Sequence, residues 1–243
     1  MNISNELNQN KTDFFISIFI ISIPIFILIG SLVINVAIIF FDIFFLYTLL
    51  KKKDLNYLNN EYFYILILFW LYLIFNLIFV SINFEMSTPR SIGFVRFIIF
   101  AFAISYFFNS KSDKIKNQIL SSWTLIFLFI SADLIFEFIL GFNIFGYVSK
   151  YEGRLAGILN EELKIGHFYS AFVIIAMISI YRKFQKNSNN QIIFYSSIFF
   201  FLVISLLIGE RSNFIKTFFI VSSFIFLFEK KYFLKKILLI ILF

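Results

Sequence analysis

The sequence predicts an all-α protein, a polytopic transmembrane helix bundle with about eight spans and the start of a ninth. Of its 243 residues, 60% are hydrophobic and only 14% are charged, whereas soluble domains carry about 25% charged residues. Its 40 phenylalanines and long apolar runs exceed what one water-soluble domain of this size can bury. We therefore expect a single transmembrane domain over residues 1–243.

The predicted spans are the apolar runs bounded by charged residues, because a helix needs about 20 apolar residues to cross a bilayer. Residues 14–50 are too many for one helix, and we expect a break at Gly30 and Ser31. The spans are 14–29, 32–50, 62–82, 92–108, 120–140, 167–181, 191–208 and 213–228. Another run starts at Ile237 and reaches only Phe243, so we expect a chain truncated at its C-terminus.

Lysine and arginine orient these helices, because basic residues in short loops mark the cytoplasmic side. Most of the 21 basic residues fall in alternate loops or near the chain ends: Lys11, Lys51–Lys53, Lys111, Lys114, Lys116, Arg182, Lys183, Lys186, Lys230, Lys231, Lys235 and Lys236. The net charge of +7 is thus explained by membrane topology. The same basic residues would also contact anionic lipid headgroups. We expect both ends in the cytoplasm, membrane lipid as a partner and no nucleic-acid role.

Several kinds of chemistry are excluded by composition. The chain has no cysteine and one histidine, which excludes disulfides, thiolate metal sites, cysteine nucleophiles and histidine-rich metal sites. The outer loops contain no D-x-D or similarly spaced acidic pair for a divalent ion. We therefore expect no metal and no cofactor.

Arginine is distributed differently from lysine. Arg90, Arg96, Arg154 and Arg211 lie on the predicted outer face, and only Arg182 lies inside. The planar guanidinium suits phosphate and carboxylate groups, so this asymmetry indicates an anion-binding surface on the outside. Alternatively, Arg90 and Arg96 simply flank helices.

The longest extramembrane segment is the predicted outer loop 141–166, which holds five of the eight glycines. Loops of this length are usually functional or disordered, and its aromatic and aliphatic residues argue against disorder. Gly153 and Gly157 bracket Arg154, which permits a tight turn or close approach to a ligand. Charged or titratable residues concentrate in and beside this loop: Glu152, Arg154, Glu161, Glu162, Lys164 and His167.

A second polar cluster, Gly209–Asn213, connects two phenylalanine-rich spans on the same predicted face. Its adjacent Glu210 and Arg211 exceed what a tight connection requires. Lys216 follows about one helical turn further into the membrane, where a cation suggests function. Snorkelling of its side chain to the interface is an equal alternative.

Three acids lie inside the predicted spans. Asp133 and Glu137 are spaced i, i+4 and share one helix face, and Glu137 is close enough to the outer end to reach the loop cations. Asp42 lies near the middle of the second span, where an ionised carboxylate is costly. The alternative for Asp42 is a protonated or hydrogen-bonded packing residue.

Two segments carry a resemblance to a known family. Arg154–Glu161 resembles the R-x-x-G segment of the O-antigen ligase and O-antigen polymerase superfamily, and Gly209–Phe214 resembles its second arginine segment, about fifty residues later. The resemblance covers residues 60–228. It implies a helical bacterial inner-membrane glycosyltransferase that uses undecaprenyl-pyrophosphate-linked glycan as donor and a glycan or lipid A-core as acceptor. The family's large loop beyond the second segment, which often carries a functional histidine, has no counterpart in this sequence, and His167 is not equated with that histidine.

The resemblance also implies roles. Arg154 and Arg211 would stabilise charge on the pyrophosphate leaving group. A carboxylate or imidazole would accept the proton of the attacking hydroxyl, and Glu161, Glu162, Glu210 and His167 all remain open for this role. We expect Arg154, Arg211, Glu161 and His167 to be catalytic, and Arg90, Arg96, Asn160, Glu210 and Lys216 to bind substrate.

Two other functions remain open. A lipid-linked oligosaccharide flippase or other transporter would use the intramembrane charges as its pathway, but such proteins often have two related halves and no internal repeat is visible. A non-catalytic membrane scaffold would not explain the outward arginine asymmetry.

Overall fold

The computed structural model describes residues 3–159, 164–184 and 190–228. Within these ranges the chain is helical and contains no strand. Its α-helices are α1 Ile3–Ile29, α2 Ser31–Lys52, α3 Glu61–Phe79, α4 Phe84–Gly93, α5 Val95–Asn109, α6 Asp113–Leu140, α7 Ile165–Phe184, α8 Asn190–Leu207 and α9 Arg211–Phe228. Two short 3₁₀ helices cover Leu55–Leu58 and Gly157–Leu159.

The long apolar helices indicate a membrane protein. In the described ranges, five helical stretches are long and apolar enough to cross a bilayer: Ser31–Lys52, Glu61–Phe79, Phe84–Asn109 (α4 and α5 together), Asp113–Leu140 and Ile165–Lys183. Shorter apolar helices cover Phe14–Ile29 and Ile192–Leu207. Helix α3 buries only Leu77, so most of its apolar surface is left for lipid. The run that begins at Ile237 lies outside the described residues.

The predicted break between the first two spans is confirmed. Helix α1 ends at Ile29 and α2 begins at Ser31, with Gly30 between them at φ 142°. Residues with a β-carbon rarely adopt this φ, whereas glycine does so readily. One long apolar stretch is thereby divided into two helices.

The fourth predicted span, residues 92–108, lies within the helical stretch Phe84–Asn109, in which only Phe94, with helical angles of φ −63° and ψ −31°, separates α4 from α5. Helix α4 ends at Gly93 and α5 begins at Val95.

Asparagine side chains fix the starts of two helices, because an N-cap oxygen satisfies an amide that has no helical partner. Asn60 Oδ1 accepts from the Tyr62 amide at 2.9 Å, and Asn83 Oδ1 accepts from the Met86 amide at 3.2 Å.

The contacts divide the chain into two compact units. The first contains the residues up to Ile20 and Gly30–Ser112. In it, α2 packs against α5, and the Phe41 and Phe107 rings lie 5.3 Å apart, centroid to centroid.

The second unit contains Ile21–Ile29 and the residues from Asp113 onward. Its core is formed by α6, α7, α8 and α9. The Phe127 ring packs 4.7 Å from Tyr169 and 5.2 Å from Phe201. The Tyr169 hydroxyl donates to the Phe201 carbonyl at 3.2 Å, which satisfies a polar group in an otherwise apolar core.

Candidate active site

Both arginine segments lie at one end of the second unit, called here the loop end. Helices α6 and α8 finish at this end, and α7 and α9 start there. The connection from α6 to α7, residues 141–164, is called the loop. The short connection Ile208–Glu210 between α8 and α9 is called the turn.

Glu137, in the last turn of α6, holds the loop by its backbone. Its Oε1 accepts from the Ala156 amide at 3.1 Å and its Oε2 accepts from the Gly157 amide at 2.7 Å. The side chain is only 3% exposed. The two amides are the partners of Glu137 in the structure, and its contact with the loop cations stays a prediction.

Asp133 and Asn143 complete the support of the loop. Asp133 Oδ1 accepts from the Ile144 amide at 2.9 Å. Asn143 is buried, and its Nδ2 donates to the Gly157 carbonyl at 2.6 Å. Its Oδ1 accepts from the amides of Phe145 and Tyr147 at 3.0 and 2.9 Å. Gly157 is thus held through both its amide and its carbonyl.

The loop touches the turn through backbone atoms. The Leu155 amide donates to the Ile208 carbonyl at 3.2 Å. The Gly153 carbonyl lies so close to Gly209 that a β-carbon on Gly209 would overlap it, and that β-carbon would also come within 3.2 Å of the Arg154 Cα. Arg154 therefore lies beside the turn, and Arg211 follows that turn directly.

Arg154 and Arg211 both have exposed side chains, although the backbone that carries them is fixed. The loop is held by α6 and the turn, and Arg211 is the first residue of α9. The fold thus presents two guanidinium groups from neighbouring backbone segments at one end of the helices. Such groups suit an anion with several oxygen atoms.

Glu210 is bonded within its own segment. Its carboxylate accepts from the Asn213 side-chain amide and, at 3.3 Å, from the Ser212 hydroxyl. Asn213 Oδ1 accepts from Lys216 Nζ at 3.5 Å. The Gly166 Cα lies against Asn213 and Glu210 and leaves no room there for a β-carbon. This polar cluster fixes α9 against the start of α7.

A cleft of about 440 Å³ opens beside the turn. Arg211 and Glu210 supply its charged part, and Leu206, Phe214 and Ile215 supply its apolar part. A cleft with both parts suits a ligand that joins an anionic group to a hydrocarbon chain.

The other predicted site residues are distributed as follows. His167 is exposed in the first turn of α7, next to Gly166. Lys216 is exposed in α9. Asn160 and Glu161, with the alternative base Glu162, lie outside the described residues.

Arg90 and Arg96 belong to the first unit. Arg90 is exposed in the last turn of α4, and Arg96 is half-buried in α5 with its guanidinium 4.8 Å from the centre of the Phe97 ring. The structure therefore gives each its own setting and does not by itself join either one to the loop.

Sequence reasoning missed Asn143 and the two amides that Glu137 binds. The available signal for Asn143 was its place between Gly141 and Gly146, directly after α6. Both of these glycines have positive φ, 79° and 81°, so the backbone turns sharply around the asparagine.

Within the described ranges, no three histidine, cysteine or acidic residues are grouped so that they could hold a metal ion. Comparisons of the chain with models of known protein families, with curated proteins and with solved structures gave no match. The residues of the loop end therefore provide the basis for inferring a function.

Proposed function

We propose that the protein is a membrane glycosyltransferase of cell-surface polysaccharide or lipopolysaccharide assembly, of the O-antigen ligase or polymerase type. It transfers or polymerises glycan from undecaprenyl pyrophosphate on the periplasmic face of the bacterial inner membrane. The observation that carries the proposal is the contact between the two arginine segments, through the Leu155 amide and the Ile208 carbonyl and through Gly153 and Gly209.

The chemistry needs charge stabilisation above all. The acceptor hydroxyl attacks the anomeric carbon of the donor sugar, and the bond from that carbon to the pyrophosphate oxygen breaks. The pyrophosphate leaves with the electron pair. Arg154 and Arg211 stabilise the developing negative charge, because fixed donors aimed at a leaving group act most strongly near low-dielectric surroundings.

The proton of the acceptor hydroxyl goes to a general base. Glu210 is a poor choice, because its carboxylate already accepts from Asn213 and Ser212. His167 is exposed and follows Gly166, which contacts the same cluster. These observations favour His167 over Glu210 as the general base. Glu161 and Glu162 remain candidates on the basis of the sequence.

The cleft beside the turn supports a lipid-linked donor. Arg211 provides a cation for the pyrophosphate, and Leu206, Phe214 and Ile215 provide an apolar wall for the first part of the polyprenyl chain. The acceptor would approach from the loop, beside Arg154. Asn160 and Lys216 are proposed as further contacts with these substrates, and a substrate-binding role of Arg90 and Arg96 stays a prediction from the sequence.

The proposal includes a topology. Eight spans cross the inner membrane, both chain ends lie in the cytoplasm, and the loop end faces the periplasm. The distribution of lysines over alternate loops supports this orientation.

One observation favours the alternative, a lipid-linked oligosaccharide flippase or other transporter. Asp42 in α2 is 5% exposed, and neither carboxylate oxygen has a hydrogen-bond partner in the described part of the chain. An unpaired acid at such a depth is a common element of a transport pathway. Asp133 and Glu137 do not extend this pathway, because they bind backbone amides of the loop.

Complementation tests the proposal. The chain is expressed in strains that lack their O-antigen ligase or their O-antigen polymerase, and surface glycan is measured together with the amount of protein in the membrane. We expect rescue of one strain, and loss of that rescue with Arg154→Ala or Arg211→Ala at equal membrane levels.

Arg182→Ala is the matched control. Arg182 is also exposed but lies at the opposite end of α7, where its Nη1 donates to Asn117 Oδ1 at 3.4 Å, so this variant should still rescue. Failure of the inserted chain in both strains would refute the proposal, and unaltered rescue by both loop-end alanine variants would refute the assigned site.

A further inference from the structure

We propose that Glu137 is a positioning residue for Arg154, and that it fixes the arginine-bearing part of the loop against the turn. The consequence for catalysis rests on the proposed function. The positioning itself is a property of the fold and can be measured without any substrate.

The geometry of the Glu137 carboxylate supports this role. Its two oxygens accept from two consecutive amides, at 3.1 Å from Ala156 and at 2.7 Å from Gly157, which are two and three residues after Arg154. Hydrogen bonds to an ionised acceptor are shorter and stronger than those between neutral groups. Two such bonds fix the direction of the backbone as well as its distance from α6.

Three consecutive amides after Arg154 each have one acceptor. The amides of Leu155, Ala156 and Gly157 bond in turn to the Ile208 carbonyl, Glu137 Oε1 and Glu137 Oε2. Removing the carboxylate leaves only the first of these three bonds. The backbone just after Arg154 would then be held only by the Ile208 carbonyl at Leu155 and by Asn143 Nδ2 at Gly157, with no partner for the two amides between them.

Glu137 and one of its partners are also buried. Glu137 and Ala156 are each 3% exposed, so water does not readily replace the lost acceptors, and an unpaired buried amide is costly. A carboxylate near the end of a membrane helix is itself expensive. Its presence is explained by the two amides that it orients.

Glu137→Gln is the decisive variant. Glutamine keeps the length of the side chain but has one acceptor oxygen, and its NH₂ group would face an amide that also donates. We expect the rate of glycan transfer to fall 10- to 100-fold at an equal level of protein in the membrane. The loss should be in kcat, with a smaller change in KM. The double variant Glu137→Gln/Arg154→Ala should be no less active than Arg154→Ala alone, because both changes remove the same positioned group.

Asp113→Asn is the matched control on the same helix. Asp113 lies at the other end of α6, where it is 96% exposed and 3.8 Å from Lys116 Nζ. This neutralised acid should leave transfer unchanged. Independent, additive losses in the double variant would overturn the proposal, since they would indicate general destabilisation by Glu137→Gln.

Spin labels provide the measurement that needs no substrate. The chain has no cysteine, so Glu152→Cys and Ile215→Cys, both at exposed positions, carry the only labels. We expect a narrow distance distribution in this labelled protein, a broadened one after adding Glu137→Gln, and no change with Asp113→Asn.

The two proposals fail separately. An unchanged distribution with Glu137→Gln would refute the positioning role. A broadened distribution in a chain that transfers no glycan would uphold the positioning role and refute the proposed function.

Discussion

The carbonyl oxygen of Gly153 rests against the α-carbon of Gly209, in space that any β-carbon at position 209 would occupy. Gly209 also has φ +78°, a conformation that other residues adopt at a cost. Both properties demand glycine, and together they allow the loop to approach the turn as closely as backbone permits. The two arginines become neighbours through this contact.

Gly209→Ala should therefore destabilise the loop end strongly. The left-handed backbone costs about 1 kcal/mol for alanine, and displacing the Gly153 carbonyl adds about 2 kcal/mol. We expect a lower unfolding temperature of the purified protein in detergent, and loss of glycan transfer. Differential scanning fluorimetry and the complementation assay measure these effects.

Gly146→Ala is its control, because Gly146 has nearly the same φ, +81°, but open space where the β-carbon would lie. It should show only the backbone cost of about 1 kcal/mol. Equal losses in the two alanine variants would mean that the contact with Gly153 contributes nothing.

Asn143→Asp should loosen the loop although it barely changes the shape of the side chain. The oxygen that accepts from Phe145 and Tyr147 is retained, but the donor to the Gly157 carbonyl becomes a second acceptor. We expect a loss of about 1–3 kcal/mol, seen as faster hydrogen exchange in residues 143–157.

Asn83→Asp is the comparison. Asn83 only accepts, from the Met86 amide at the start of α4, and aspartate serves that role equally well. Its exchange rates should stay the same. If Asn143→Asp is equally silent, the Gly157 carbonyl does not depend on this donor.

Asp42→Leu should raise the stability of the protein, whereas Asp133→Leu should lower it. Both acids are buried in membrane helices, but neither oxygen of Asp42 has a hydrogen-bond partner in the described part of the chain. Asp133 accepts from the Ile144 amide. We expect changes of about 1–3 kcal/mol in opposite directions, measured as shifts in unfolding temperature.

The opposite sign for Asp42 would be informative. A loss of stability in Asp42→Leu would contradict the prediction and would indicate that the nearby charge of Arg96 outweighs the cost of burying the Asp42 carboxylate.

Single cysteines test the proposed topology. Tyr151→Cys lies in the loop and Ser112→Cys lies before α6, both at exposed positions. A membrane-impermeant thiol reagent should label Tyr151→Cys in intact spheroplasts and Ser112→Cys only after permeabilisation. The reverse pattern would place the loop in the cytoplasm and contradict a periplasmic site.

Apolar runs predicted the helices well, but not all of their ends. Helix α6 begins at Asp113, seven residues before the predicted span, because its first two turns are polar and leave no hydropathy signal. The stretch Phe84–Asn109 likewise begins eight residues before the predicted span 92–108, because α4 contains Glu85, Ser87 and Arg90. Gly30 was predicted correctly because the excess length of the run required a break.

The candidate site was predictable at the level of segments and not of contacts. Charged residues around Arg154 and Arg211 stood out against an apolar chain, and alternation of spans put both segments at one end. The contacts that join them involve the backbone of Gly153, Leu155, Ile208 and Gly209, whose identities say nothing about partners. Glu137 was expected to reach the loop cations. Its position in the last turn of α6 places its carboxylate beside the Ala156 and Gly157 amides.

The attachment of the loop to both α6 and the turn sets an order of assembly. During synthesis α6 leaves the ribosome before the loop does. The carboxylates of Asp133 and Glu137 therefore lack their amide partners until residues 144–157 have been made. The contact of Gly153 with Gly209 forms only after α7 and α8 have been made and have packed. A delay in the insertion of α8 would therefore leave Gly153 without its contact at Gly209 in a protein whose α6 has already been made.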